Sequence, residues 1–319
     1  MRRGLLVIVP VLIFLAVFGA ARLAGSVDAG SSQERNPFAA QGPATWGRSA
    51  AATAAEAAAG PDREVLERIA GVPTAVWVTP EAHPTAEVAD FVMNVVESAS
   101  QAERTPVLVV YGITDRDCIG GESSGGLPAD EYVDWVGRIA DVAGDRAAVV
   151  LEPDALATAA DCDQLEERTR LLGGAVDRLV DAGPAVYVDA GHSSWTEPSD
   201  MAAMLKAVGV ERTRGFSTNV SGYESDADET TYATEVSRAL GGAHFVIDTG
   251  RNGAGSNGEW CNPTDRALGQ EPHAGSGGIL DAYLWIKPPG ESDGTCGGGP
   301  GAGEFWTERA LELAANAGW

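Results

Sequence analysis

The chain has 319 residues, enough for one large domain with a well-buried core or for two small ones. Its formal charge of −24 and pI near 4.4 repel phosphate backbones and anionic headgroups, which argues against nucleic acid as a partner. No Gly-rich phosphate loop follows the first apolar run, and four histidines are too few for a multi-histidine metal site, so neither a nucleotide cofactor nor a metal is expected.

In chain order, Met1-Arg2-Arg3 is basic and Leu5 to Ala21 is almost wholly apolar. That pattern predicts an export signal over residues 1–25, or a membrane anchor formed by residues 5–21, and in either case a domain outside the cytoplasm. Residues 26–61 are rich in Ala, Ser and Gly and read as a flexible linker, with no aromatic-rich binding module in it. The catalytic domain is expected over 62–319. It opens with a short helix from Asp62 to Ala70 that Asp62 would cap.

Seven short apolar runs follow: Ala75 to Val78, Val107 to Tyr111, Ala147 to Leu151, Ala185 to Val188, Gly215 to Thr218, His244 to Ile247 and Ala282 to Ile286. Most are continuous rather than alternating, as in strands of a parallel sheet buried on both faces. Helical segments separate several of them, at Glu87 to Glu103, Ala129 to Ala143, Gln164 to Asp181 and Thr230 to Leu240. The alternation predicts an α/β fold, a partly open parallel barrel of about seven strands, with an open doubly wound sheet as the alternative.

Four cysteines in an exported chain imply two disulfides, for which three pairings are possible. Cys118 with Cys162 and Cys261 with Cys296 is preferred, because each cysteine follows a strand end near a polar cluster. Each bridge would close a loop of about 35 to 45 residues, which stabilises by roughly 4 kcal/mol in the chain-entropy model.

The functional face of a parallel barrel lies at the C-terminal strand ends, and polar or aromatic residues follow every run here. They include Trp77 after the first, Tyr111 and Asp117 after the second, Glu152 and Asp154 after the third, and Asp189, His192 and Trp195 after the fourth. Asn219 follows the fifth, Asp248 and Trp260 the sixth, and Lys287, Glu291 and Asp293 the seventh. One such Asp or Asn is ordinarily a helix cap, and one Trp ordinarily core; a whole rim of acids beside indoles suits the hydrolysis of glycosidic bonds.

Taken in order, Tyr111-Gly112-Ile113-Thr114-Asp115-Arg116-Asp117-Cys118 with Ser123-Ser124-Gly125-Gly126, Glu152-Pro153-Asp154, Asp189 to Trp195, Asp248 to Gly253, Glu259-Trp260-Cys261 and Trp285 to Gly294 resemble glycoside hydrolase family 6, the cellulases. The resemblance implies a distorted, partly open seven-stranded barrel and hydrolysis of β-1,4-glucan with inversion. It makes Asp154 the general acid, Asp117 the second aspartate that raises the acid's pKa, and Asp293 the general base. Tyr111 would crowd the reactive sugar, and Ser124 would help hold the attacking water. Trp77, His192, Trp195, Asn219, Trp260, Lys287 and Glu291 would bind sugar, and Asp189 would be a structural or substrate-orienting acid. The compact Cys261 to Cys296 segment favours an open cleft and internal cleavage by a monomer; an exo-acting enzyme and a non-catalytic glucan-binding protein are the alternatives. Glu81-Ala82-His83-Pro84, Ser221-Gly222-Tyr223-Glu224, Pro289 and Ser292 depart from the family pattern, which bears on the outer sugar sites.

Overall fold

The computed structural model describes residues 31–319. One mostly parallel sheet of eight strands organises the fold, in the order β1-β2-β3-β4-β5-β6-β8-β7. The strands are β1 (Val76–Val78), β2 (Val107–Val110), β3 (Ala148–Leu151), β4 (Ala185–Asp189), β5 (Gly215–Thr218), β6 (His244–Asp248), β7 (His273–Gly277) and β8 (Leu280–Leu284). All pair in parallel except β7, which forms an antiparallel edge on β8. The barrel stays open between β1 and β8. There, the amide of Ala75 donates to the carbonyl of Trp285 (2.9 Å) and the indole of Trp77 to that of Ile286 (2.9 Å), in place of a ladder.

The continuous apolar runs have a simple cause: both sheet faces are buried. Leu108, Val110, Val149, Leu151, Val186 and Val188 point outward onto α3 (Val88–Gln101), α4 (Tyr132–Ala143) and α5 (Leu165–Ala182). Val107, Val109, Ala148, Val150, Ala185 and Tyr187 alternate with them and fill the barrel.

Three expectations need correction. The run at 282–286 is displaced, since β8 ends at Leu284, and an eighth strand, β7, was not foreseen. Its sequence, His-Ala-Gly-Ser-Gly, is short, glycine-rich and mostly exposed, so it carries no apolar signal. The early helix is α2 (Gly60–Gly71); it starts at Ala59 without a side-chain cap, and Asp62 lies inside its first turn.

The linker expected over 26–61 is the largest departure, because from residue 31 the chain is packed against the sheet. Phe38, 2% exposed, plugs the N-terminal mouth of the barrel and stacks on Tyr187 with ring centroids 6.5 Å apart. Gln33 pairs with the start of β4, donating to Pro184 O and accepting from Val186 N (3.2 Å), and Asn36 donates to Asp281 O (2.8 Å). Beyond it, α1 (Ala50–Ala57), capped by Ser49, packs with α2, Trp285 and α8 (Thr307–Asn316). The segment from Pro198 to Ala207 forms α6, and Asp226 to Ala239 forms α7.

Both preferred disulfides are present, Cys118–Cys162 and Cys261–Cys296. Among the described residues no helix is long and apolar enough to cross a membrane, and the apolar stretch at 5–21 lies outside them.

Candidate active site

The C-terminal strand ends surround a groove of about 1640 Å³, larger than a drug-sized pocket. The acids reach it through unusual backbone. Asp115, Asp117, Glu152, Asp154, Asn219 and Ser221, all just beyond strands, have φ between 49° and 69°. Asp and Asn tolerate this left-handed region better than most residues, and strained backbone of this kind gathers at functional sites. Here it reverses the chain at the rim, so that successive carboxyls alternate between the groove and buried positions behind it.

Glu152 and Asp154 show the alternation. Glu152 turns away from the groove toward Tyr132 of α4, fully buried, and both of its oxygens accept from the amide of Gly112 (2.9 and 3.1 Å), which ties the end of β3 to β2. Asp154 faces the groove.

Asp189 lies behind Asp154 and off the groove wall, 1% exposed. Its oxygens accept from the amides of Asp154 (2.9 Å) and Gly191 (3.0 Å) and from the hydroxyl of Ser217 (3.0 Å). Burial pushes the Asp189 carboxyl up as well, but those three donors oppose it, whereas no group among the described residues donates to the Asp154 carboxyl, so Asp154 is the better proton carrier of the crowded pair. Burial pushes the Asp154 carboxyl well above the usual range, and the charges of Asp189, Asp117 and Asp293 push it further; Lys287 opposes them. A carboxylic acid that keeps its proton near neutrality is what a leaving oxygen needs.

Asp117 stands in the loop after β2, the strand beside β3. One oxygen accepts from the amide (2.6 Å) and hydroxyl (3.1 Å) of Ser123, whose hydroxyl also lies 3.0 Å from that of Tyr111. Ser124, the serine singled out in sequence, lines the groove but donates to the carbonyl of Gly121 (3.2 Å). Ser123 is thus the serine wired to the aspartate. Gly120 lets Trp260 approach: a Cβ there would sit 2.5 Å from Asp117 Oδ1 and 3.2 Å from the indole.

Asp293 reaches the same groove from beyond β8. Buried Arg251 donates to both its oxygens (2.8 and 3.0 Å), and the amide of Asn262 (3.0 Å) and the hydroxyl of Tyr223 (3.3 Å) also donate. Lys287 lies 5.3 Å above the Trp77 ring and 4.0 Å from Glu291, whose carboxyl burial lifts to about 7.

Trp77, Tyr111, His192, Trp195, Trp260, Lys287 and Glu291 all line the groove, as expected of them. Trp195 and Trp260 are 38% and 58% exposed, large indole surfaces with no core to cover them. Asn219 does not join them. It is fully buried, donating to Glu224 O (3.1 Å) and Asp248 O (2.9 Å) and accepting from Glu224 N (3.1 Å), so its work is to shape the loop after β5.

Sequence reasoning gave no role to Arg116, which follows β2 and pairs with Glu81 at 2.9 Å, and passed over Trp46, which lines the groove from the presumed linker. Trp46 is held edge-on to Phe91 at 6.4 Å. Its only signal was being a large aromatic in a stretch of small residues.

The comparisons agree with this geometry. The family model "Glycosyl hydrolases family 6" matches residues 35–317. Endoglucanase A of Cellulomonas fimi is 48% identical over 83% of this chain, and the chain spans 59% of that relative's length. A probable exoglucanase of Podospora anserina is 33% identical over 77% of the chain and 68% of its own length. Among solved structures, the endoglucanase Cel6 from Mycobacterium tuberculosis, in complex with methyl-cellobiosyl-4-deoxy-4-thio-β-D-cellobioside, superposes with a TM-score of 0.85 at 45% identity, covering 89% of this chain and 100% of that one. The family match takes in every groove acid and indole discussed above, and the chain belongs to glycosyl hydrolase family 6.

Proposed function

We propose that the chain is an inverting endo-β-1,4-glucanase, acting on internal bonds of cellulose-like chains outside the cytoplasm. The observation that carries this reading is a groove that holds Asp117, Asp154 and Asp293 beside two exposed indoles, with Asp154 so buried and so surrounded by carboxylates that its carboxyl is pushed well above its usual range. Asp154 protonates the leaving oxygen as the glycosidic bond breaks, and a water attacks the opposite face of the sugar. Tyr111 and Trp77, packed edge-on with centroids 5.2 Å apart, form the wall against which the reacting ring is held.

The water's proton goes to Asp293 directly or through further waters to Asp117. Both oxygens of Asp293 are engaged by Arg251, whereas Asp117 Oδ1 has no hydrogen-bond partner among the described residues. That contrast favours the relay to Asp117. Internal cleavage is supported by the compact Cys261–Cys296 loop and by the names of the bacterial relatives.

Product analysis on cellohexaose with detection of the anomer tests the reading. The expected products are shorter cello-oligosaccharides from internal bonds, released first as the α-anomer; β-anomeric products, or cellobiose alone from one end, contradict it. Binding without cleavage would indicate the glucan-binding alternative.

Turnover should fall on the alkaline side as Asp154 loses its proton, with a limb above neutral pH. Asp117→Asn removes a neighbouring negative charge, eases ionisation of Asp154 and moves that limb to lower pH. Lys287→Met removes a positive charge and moves it to higher pH. A pH profile of kcat for each variant checks both signs.

Trp46→Ala should raise KM for polymeric glucan about fivefold, the ~1 kcal/mol of one aromatic contact, and leave cellotetraose kinetics unchanged. An equal effect on both substrates would place Trp46 outside the sugar path.

A further inference from the structure

Arg168, near the start of α5, is 1% exposed and belongs to no part of the groove wall. A buried guanidinium is costly unless its donors are used, and the place where these donors go is informative. Nη1 donates to the carbonyl of Ala155 (2.8 Å) and the hydroxyl of Thr158 (2.5 Å), both in the loop that begins at Asp154. Nη2 donates to the carbonyl of Asp115 (3.0 Å) and lies 3.1 Å from the sulfur of Cys118, in the loop that carries Asp117. The Thr158 hydroxyl in turn donates to the carbonyl of Asp154 (2.8 Å). One planar fork therefore has one tine in each acid-bearing loop. The Cys118–Cys162 disulfide joins the same two loops, and its Cys118 sulfur is itself one of the atoms that Nη2 meets.

We propose that Arg168 is a positioning residue: its guanidinium fixes the Asp117 loop against the Asp154 loop and so sets the spacing between the two carboxyls. The proposal rests on the glucanase reading for its kinetic consequences. Its geometric content, two loops held by one side chain, stands apart from that reading. The disulfide restrains how far the loops separate, whereas the fork fixes their register, because two in-plane donors on each side leave little freedom to slide.

Arg168→Lys is the sharpest test. It keeps the buried charge but concentrates the donors on one nitrogen, which can serve one loop and not both. Asp154 is faced by Asp189 from β4, by Asp117 and Tyr111 from beyond β2, by Lys287 and Asp293 from beyond β8, and by Arg168 itself from α5. Only the Asp117 contribution should weaken appreciably in the lysine variant. With cellohexaose, kcat is expected to fall tenfold or more while KM stays within twofold, since the sugar-binding wall is untouched. A ¹³C-carboxyl NMR titration should show the Asp154 midpoint moving to lower pH as Asp117 recedes.

Wild-type kcat together with an unmoved midpoint overturns the proposal, as does a joint loss of kcat and KM with the midpoint unmoved. Should the lysine variant fail to fold, Thr158→Val removes one acceptor of the fork and carries the test: a two- to fivefold fall in kcat with the same direction of midpoint shift is expected, and no change in either overturns it. If the wild-type chain cleaves no β-1,4-glucan, the glucanase reading fails, while the titration still decides whether Arg168 sets the spacing.

Discussion

Asp154→Asn is expected to lower kcat on carboxymethyl cellulose by about 10²–10⁴-fold, the contribution of a positioned general acid, while KM and binding of cellohexaose stay close to the wild type. An amide fills the same space but cannot protonate the departing oxygen. The size of the loss should depend on the leaving group: an aryl cellobioside whose phenolate leaves unaided loses far less. That dependence separates a missing proton from a collapsed groove, because collapse would penalise both substrates alike. Near-normal turnover of carboxymethyl cellulose by the variant would remove Asp154 from its role.

A second large effect is expected far from the groove. At the N-terminal mouth of the barrel, Asp281 accepts from Arg214 Nε (2.6 Å) and Nη2 (2.7 Å), and from the hydroxyl of Tyr187 (2.7 Å), with His244 Nδ1 3.1 Å away. Arg214 and Asp281 are both almost wholly buried. Arg214→Met strands the carboxylate in the interior, which should cost about 3–5 kcal/mol of stability, read as a lowered urea midpoint. Replacing both partners with apolar residues, Arg214→Met with Asp281→Leu, should recover much of that loss, because the expense lies in the unpaired charge. Folded Arg214→Met protein should retain wild-type kcat, since the pair is separated from Asp154 by the length of the strands. A stability loss below about 1 kcal/mol would mean that water reaches Asp281.

The parallel strands were legible because burial on both faces leaves a continuous apolar run, visible without knowing which residues point in and which point out. The edge strand β7 was illegible for the opposite reason, since its residues bury little. Asp154 and Asp117 could be located from motif and strand end, but their relation to Asp189 could not. Position after a strand does not say whether a carboxyl turns to the groove or away, and the left-handed residues decide that. Hence Asn219 was expected on the sugar-binding wall and lies behind it, and Asp189, expected as a structural or substrate-orienting acid, lies behind Asp154. Similarly, adjacent serines look equivalent in sequence, and only the loop's path gives Ser123 rather than Ser124 to Asp117. The segment at 31–61 misled because average composition was weighed above two residues, Phe38 and Trp46, whose ring size matters more than their number.

The plug made by Gln33 to Phe38 also fixes a direction. Residue 31 stands at the pole where the strands begin, and the groove opens at the pole where they end. Residue 31 therefore lies behind the barrel, away from the rim that carries Asp117, Asp154 and Asp293.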